Sequence, residues 1–226
     1  MFTDMFVKLW HNHIFLWGIW QTVYMTVIST AFAYVLGLPL GLILSVTDKD
    51  GIRPRPALNN ALGVIVNAFR SIPFIILMVA LLPVAKFVVG TSIGNKAVIV
   101  TLVVGAAPYV ARMVESSIKE VDKGVIEAAE AMGTPTFQII TKVLIAEAKP
   151  SLITGAVISM VTILGYSAMA ATLGGTGLGQ VAVVYGHQRF NQDVIWFSAL
   201  LCVLIVQVIQ VVGMRIVHRT DKRINH

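Results

Sequence analysis

Residues 17–46 read WGIWQTVYMTVISTAFAYVLGLPLGLILSV, an unbroken run without one Asp, Glu, Lys, Arg or His. A helix needs about 20 apolar residues to cross the hydrocarbon of a bilayer, and this run exceeds that. The rest of the chain agrees: of 226 residues 57% are hydrophobic and only 12% charged, and the mean hydropathy is +0.82. These values describe an integral membrane protein rather than a soluble domain. Lipid offers no partner to backbone N–H and C=O groups, so a spanning segment must satisfy its own; the long runs lack the short alternation of a barrel strand, and the fold is therefore all-α. Working outward from the first run gives five transmembrane helices, about Trp17–Val46, Leu62–Val89, Ala97–Met113, Leu152–Leu173 and Val194–Val217.

Several smaller features fit a packed bundle. Pro39, Pro73, Pro83 and Pro108 fall in these runs and predict kinks, while Gly37 and Gly41, one helical turn apart, allow a close helix contact. The first 16 residues carry Asp4, Lys8, His11 and His13 and lack the basic start, compact apolar core and cleavage site of a signal peptide, so the first span reads as uncleaved. Cys202 is alone and lies in an apolar run, where it reads as a small core residue. The histidines, His226 among them, stand in tails or near span ends without metal-ligand company, and no metal site is assigned.

Basic residues set the orientation. With five spans, thirteen of the 17 Lys and Arg, from Lys49 to Lys222 and Arg223, fall on one side, leaving Lys8, Lys86, Lys96 and Arg189 for the other. The positive-inside bias places the C-terminus in the cytoplasm and the N-terminus outside. Trp10, Trp17, Trp20 and Trp196 then cluster at the outer interface. The net charge of +6 is thus accounted for by a cytoplasmic membrane face, with lipid as a partner and without nucleic acid.

Between the third and fourth spans lies a polar stretch, about 114–150, inside what otherwise reads as a single transmembrane domain over 1–226. Glu115, Ile118, Val121, Val125, Ala128, Ala129 and Met132 recur at three- and four-residue spacing and predict an amphipathic helix. Gly133 suits the left-handed residue that ends it, Thr134 can cap the next helix, and Pro135 fits that helix's first turn. A second helix follows, with Phe137, Ile140, Val143 and Leu144 on its apolar face. Such a two-helix elbow presents a knob to a partner, packs on its own bundle or lies on the lipid headgroups.

These residues carry a resemblance. Glu127-Ala128-Ala129, then Gly133, then Val143-x-Ile145 resembles the EAA loop of permease subunits of ABC importers; the family pattern ends I-x-L-P, where this chain has Val143, Ile145 and Ala146. FRSIPFIILMV from Phe69, VGAAPYVARMVE from Val104 and GYSAMAATLGGTGLGQ from Gly165 resemble the methionine-importer branch, so that the likeness covers roughly Thr22 to Arg219. The resemblance implies the type I importer permease fold in a bacterial cytoplasmic (inner) membrane. It implies a cytoplasmic ABC ATPase dimer docked on Glu127, Ala128, Ala129, Met132, Gly133 and Thr134, and a substrate-binding protein outside. ATP and Mg would belong to the ATPase, with no cofactor in this chain. Sister branches share the scaffold, so another amino acid or small solute is the alternative cargo.

The residues themselves point the same way. No Gly-Lys pair exists anywhere in the chain, so it has no Walker A loop, and GGTGLG at 174–179 reads as a tight turn after the fourth span. The middles of the spans hold no ionisable side chain, which argues against the alternative class, an ion-coupled secondary transporter. No clustered nucleophile, acid–base pair or metal ligand set suggests an enzyme. Five spans leave little room for an enclosed path, so a homodimer with its pore on the twofold axis is expected. In GYSAMAAT, Met169 is bulky and adaptable among Ser167, Ala168, Ala170 and Ala171; it either gates the path, with Tyr166 and Ser167 offering hydroxyls to solute, or fills a core gap.

Overall fold

The computed structural model describes residues 4–220, so Lys222, Arg223 and His226 lie outside the described residues. Its elements are α1 (Asp4–His11), α2 (Ile14–Thr47), α3 (Pro56–Ser71), α4 (Phe74–Ala80), α5 (Leu82–Val89), α6 (Asn95–Lys119) and α7 (Lys123–Ala131). Short helical turns from Thr136 to Glu147 lead to α8 (Lys149–Ser167), a 3₁₀ run Ala168–Leu173, further turns to His187, and α9 (Gln192–Thr220). Among the described residues there is no strand.

Four helical stretches are long and apolar enough to cross a membrane: α2, α6, α8 with its 3₁₀ continuation, and α9. The fifth expected span, Leu62–Val89, is not one helix. It is divided among α3, α4 and α5, and a fifth crossing arises only if the bent α3–α4 pair acts as a broken span. Pro73 explains the first break, since it has no N–H to donate and drives Ile72 away from helical geometry. Pro39 and Pro108, by contrast, stay inside continuous helices, α2 and α6.

The chain gathers into two compact units. One comprises the chain up to Phe32, Ile72–Ala106 and Met160–Gln210. Its core includes Leu9, Phe15, Val181 and Val194, and the Phe197 ring meets Phe15 and Trp10 edge-on at 4.9 and 5.9 Å. Trp10, Trp17, Trp20 and Trp196 are all exposed on this unit, which also holds Lys8, Lys86, Lys96 and Arg189.

The other comprises Ala33–Ser71, Ala107–Ser159 and the chain from Val211. Every other described Lys and Arg, from Lys49 to Arg219, belongs to it. Its centre is the crossing of α2 with α6, where Leu44, Val66 and Ala111 are buried. Gly37 and Gly41 make that crossing. A methyl group on Gly37 would sit 2.6 Å from Val110 Cγ1, and one on Gly41 would run into the Ala111 carbonyl and Val114. Without side chains at these two positions the helix backbones approach closely, which is how helices gain contact where lipid supplies no hydrophobic drive. At the end of α2, Asn59 Nδ2 donates to the Leu44 carbonyl at 2.6 Å and to Thr47 Oγ1 at 3.2 Å, taking up an orphan acceptor of the last turn.

Gly41→Val is therefore expected to force α2 off α6 and lower the thermal unfolding midpoint in detergent, at the overpacking cost of about 1–3 kcal/mol or more. An unchanged midpoint would contradict the tight crossing.

Candidate functional site

The polar stretch folds as an elbow, with two differences from the spacing argument. The apolar periodicity that starts at Glu115 belongs first to α6, which runs on to Lys119; the helix then breaks at Glu120–Asp122 and restarts as α7. Asp122 drives the restart, its Oδ1 accepting the Gly124 N–H at 2.6 Å as an N-cap. The second helix is not regular either, because a π-helical turn, Ile139–Leu144, lies between single turns of α-helix and brings Ile139 and Leu144 into the core.

The corner is where the sequence placed it. Gly133 has φ +73°, its N–H donates to the Glu130 carbonyl at 2.9 Å, and the Thr134 N–H donates to Ala129 at 3.1 Å. This pair of bonds is the Schellman arrangement that ends a helix on a left-handed residue. Thr134 does not cap the following turn: Pro135 occupies the N-cap position, with no side-chain cap bond, and its carbonyl accepts from Gln138 at 2.8 Å. Proline's locked φ, here −67°, sets the entry to the second limb.

The corner sorts its side chains. Ala129 is buried, which explains a small residue there, while Glu127, Ala128 and Glu130 face outward. Met132 and Phe137 flank the corner at 78% and 76% exposure. Two large apolar side chains standing free on a polar knob form a contact point for something not in the chain's own core. Beside them lies a cleft of about 730 Å³, lined by the Asp48–Ile52 loop, Lys119, Lys123, Glu127, Glu130 and Leu144.

A charge cluster holds the elbow's base. Buried Glu115 accepts from Arg112 Nη1 at 2.5 Å through Oε2 and from Lys119 Nζ at 2.8 Å through Oε1. Lys119 also reaches Asp48 Oδ2 at 2.5 Å, and Arg112 Nη2 donates to Asn67 Oδ1 at 3.1 Å. Arg53 Nε donates to Thr136 Oγ1 at 3.0 Å, so the Asp48–Arg55 loop grips both α6 and the elbow. Arg112, Glu115 and Lys119 stand at helical spacings of three and four, a signal that the sequence carried and that could have found them. Asp48 had no such signal, because its contact is made only once the chain folds. The hydrogen bond from Lys119 holds the Asp48 carboxyl below its ordinary range.

The proposed gate residues lie in the other unit. The Tyr166 ring stacks on Phe74 with centroids 3.9 Å apart and 6° between planes. Ser167 is buried, and its hydroxyl donates to the Leu164 carbonyl at 2.7 Å. Met169 belongs to the 3₁₀ run rather than to α8, with 37% of its surface exposed, while Ala170 and Leu173 of the same run are buried.

Residues 37–226 match the family model described as binding-protein-dependent transport system inner membrane component. The chain is 46% identical over 213 residues to the probable D-methionine transport system permease protein MetI of Vibrio cholerae, covering 94% of this chain and 95% of that protein. It is 44% identical to the methionine import system permease protein MetP of Bacillus subtilis, with 90% and 92% covered. Among solved structures, an inward-facing MetNI methionine ABC transporter chain superposes with a TM-score of 0.91 at 44% identity, covering 94% of this chain and 98% of that one.

Removing the buried carboxylate of Glu115 should cost far more than removing the half-buried one of Asp48. Glu115→Gln, which removes the buried charge that Arg112 and Lys119 share, is expected to destabilise by about 1.5–3 kcal/mol in thermal unfolding, whereas Asp48→Asn should cost under about 1 kcal/mol. Because its pKa is depressed in the fold, the Asp48–Lys119 pair contributes fully above the ordinary aspartate range and is lost as pH falls through the lowered value. An infrared titration of the Asp48 carboxylate band, identified by its loss in Asp48→Asn, should show protonation at lower pH than in Lys119→Met; equal midpoints would refute the pairing.

Proposed function

The chain belongs to the family of binding-protein-dependent transport system inner membrane components, and from that premise we propose that it forms the membrane path of an ATP-driven methionine importer. It is a multi-pass membrane permease and not itself the hydrolysing subunit. The observation that carries the reading is the exposed apolar corner, Met132 and Phe137 about Gly133, built on a chain that matches methionine permeases nearly end to end.

In this reading two copies of the chain form one pathway, and the elbow of each seats in a cleft of a cytoplasmic ATPase dimer. Glu127, Ala128, Met132, Gly133 and Thr134 make the seat, with Ala129 buried beneath them. ATP and Mg reside in that partner, and a binding protein delivers solute from outside. The elbow and the C-terminus face the cytoplasm and the N-terminus faces out. Support comes from charge: the described basic residues concentrate in the elbow's unit, whereas the tryptophans belong to the other. Met169 closes the path, with Tyr166 beside it. The hydroxyl of Ser167 donates to Leu164, so it meets solute as an acceptor.

Force enters through the corner. When the ATPase closes on nucleotide it draws the two elbows together, and each elbow pulls on α6 through the Asp48–Arg55 loop, tied to the elbow by Arg53–Thr136 and to α6 by Asp48–Lys119. The work done is positioning, for which a rigid corner matters more than any reactive group.

Uptake of labelled methionine into proteoliposomes holding this chain, the ATPase and the binding protein is expected to need all three and ATP. Flux of methionine without ATP would overturn the reading, and ATP-driven flux of a different solute would replace the cargo alone. Gly133 allows a clean test, because a Cβ there meets nothing within 4 Å and only backbone strain is added. Gly133→Val should cost about 1–2 kcal/mol and weaken co-purification of the ATPase, while Gly133→Asn, whose side chain tolerates the left-handed region, should keep it. Met169→Ala is expected to let methionine leak without ATP, and an unaltered seal would remove it as the gate.

A further inference from the structure

Resting on that reading, we infer that Asn95 is a positioning residue for the gate, its side-chain amide fixing the outer end of the segment that carries Met169. Asn95 is the first residue of α6 and follows Gly90 and Gly94, both in the left-handed region with open space around them. Its amide is turned away from its own helix. Oδ1 accepts the Thr176 backbone N–H at 2.6 Å, and Nδ2 donates to Thr176 Oγ1 at 2.7 Å and to Gln21 Oε1 at 2.5 Å. One side chain thus joins α6, α2 and the glycine-rich loop, all within one compact unit.

That loop is one piece with the 3₁₀ run. The Gly175 N–H donates to the Ala170 carbonyl at 2.8 Å, and the Gly94 N–H donates to Leu173 at 3.1 Å. A methyl group on Gly175 would meet the Ala170 side chain and carbonyl at 2.9 Å, and one on Gly179 would overlap the Ala168 backbone. Farther along, the Leu178 N–H donates to Thr22 Oγ1 at 2.9 Å. The glycines fold the loop back onto Ala168–Leu173, and Asn95 with Thr22 pins the folded piece to its neighbours.

A 3₁₀ run of this length is held poorly by its own hydrogen bonds, so what grips its end decides where Met169 stands. A planar polar fork is the group required. One arm accepts from a backbone N–H while the other bonds two neighbouring side chains, which an apolar side chain of the same size cannot do. The clamp makes Met169 move with the start of α6 instead of fluctuating alone, and so keeps the path sealed between strokes.

The test compares Asn95→Leu with Asn95→Asp in proteoliposomes of the assembled transporter loaded with labelled methionine. Leucine removes all three bonds at similar volume. Aspartate can keep them, because Gln21 can turn its amide to donate and the Thr176 hydroxyl can rotate to donate. Without ATP, Asn95→Leu should raise methionine efflux at least about tenfold, as a loss of about 1.4 kcal/mol in closed-state preference would. Asn95→Asp should stay within about twofold of wild type, less than the effect of one hydrogen bond. Association with the ATPase should be the same in all three. Wild-type tightness in Asn95→Leu, or equal leakage in Asn95→Asp, overturns the clamp. If Asn95→Leu fails to fold, Gln21→Leu carries the test: efflux above wild type supports the clamp and unchanged efflux overturns it. Failure of the wild-type protein to take up methionine with ATP and both partners would instead overturn the importer reading.

Discussion

The crossing of α2 on α6 is the constraint from which the rest of the described unit follows. In a hydrocarbon setting the packing of two apolar helices must come from van der Waals contact, and contact of this quality requires missing side chains. Gly37 and Gly41 supply them on α2, opposite Val110, Ala111 and Val114. Once α6 lies there, Arg112 reaches Asn67 of α3, Glu115 ties Arg112 to Lys119, and Lys119 meets Asp48 on the loop that leaves α2. The elbow then grows from a helix end already fixed in place.

Regular helix and irregular turns divide the labour. The long helices carry the chain through its apolar surroundings, and the exceptions sit where the chain must present something: the left-handed corner at Gly133, the π turn behind it, and the 3₁₀ run with Met169. Each exception has a local cause. A Schellman pair ends α7, Pro135 sets the second limb, and the close seats of Gly175 and Gly179 fold the glycine-rich loop against Ala168–Leu173. Tight or wide turns hold their hydrogen bonds less well than an α-helix, so they yield first when a partner pulls.

What the sequence made legible was whatever depends on a single segment. Hydropathy found the long apolar helices, spacing found the corner at Gly133, and the pair Gly37/Gly41 announced a close contact. What it hid depends on neighbours far along the chain. The span drawn over Leu62–Val89 took apolar content for continuity and underweighted Pro73, whose effect on Ile72 ends one helix and begins another. Thr134 looked like a cap by residue type, yet Pro135 takes the position, leaving Thr134 to donate its N–H back to Ala129. Nothing in the sequence signalled that the Ser167 hydroxyl, at the end of its helix, donates to the nearest carbonyl, here Leu164. The Asn95 fork joins residues 21, 95 and 176 and has no local signature at all.

The placement of charge around α2 bears on how the chain is made. Lys8 precedes this helix, while Lys49, Arg53 and Arg55 follow directly after it. On the proposed orientation, α2 therefore carries its own retention signal, since three cations resist transfer across the membrane. The direction of threading is settled before α6, α8 or α9 has been synthesised. Helices made after α2 take their polarity from it, and on the same orientation the elbow emerges on the side that holds Lys49, Arg53 and Arg55.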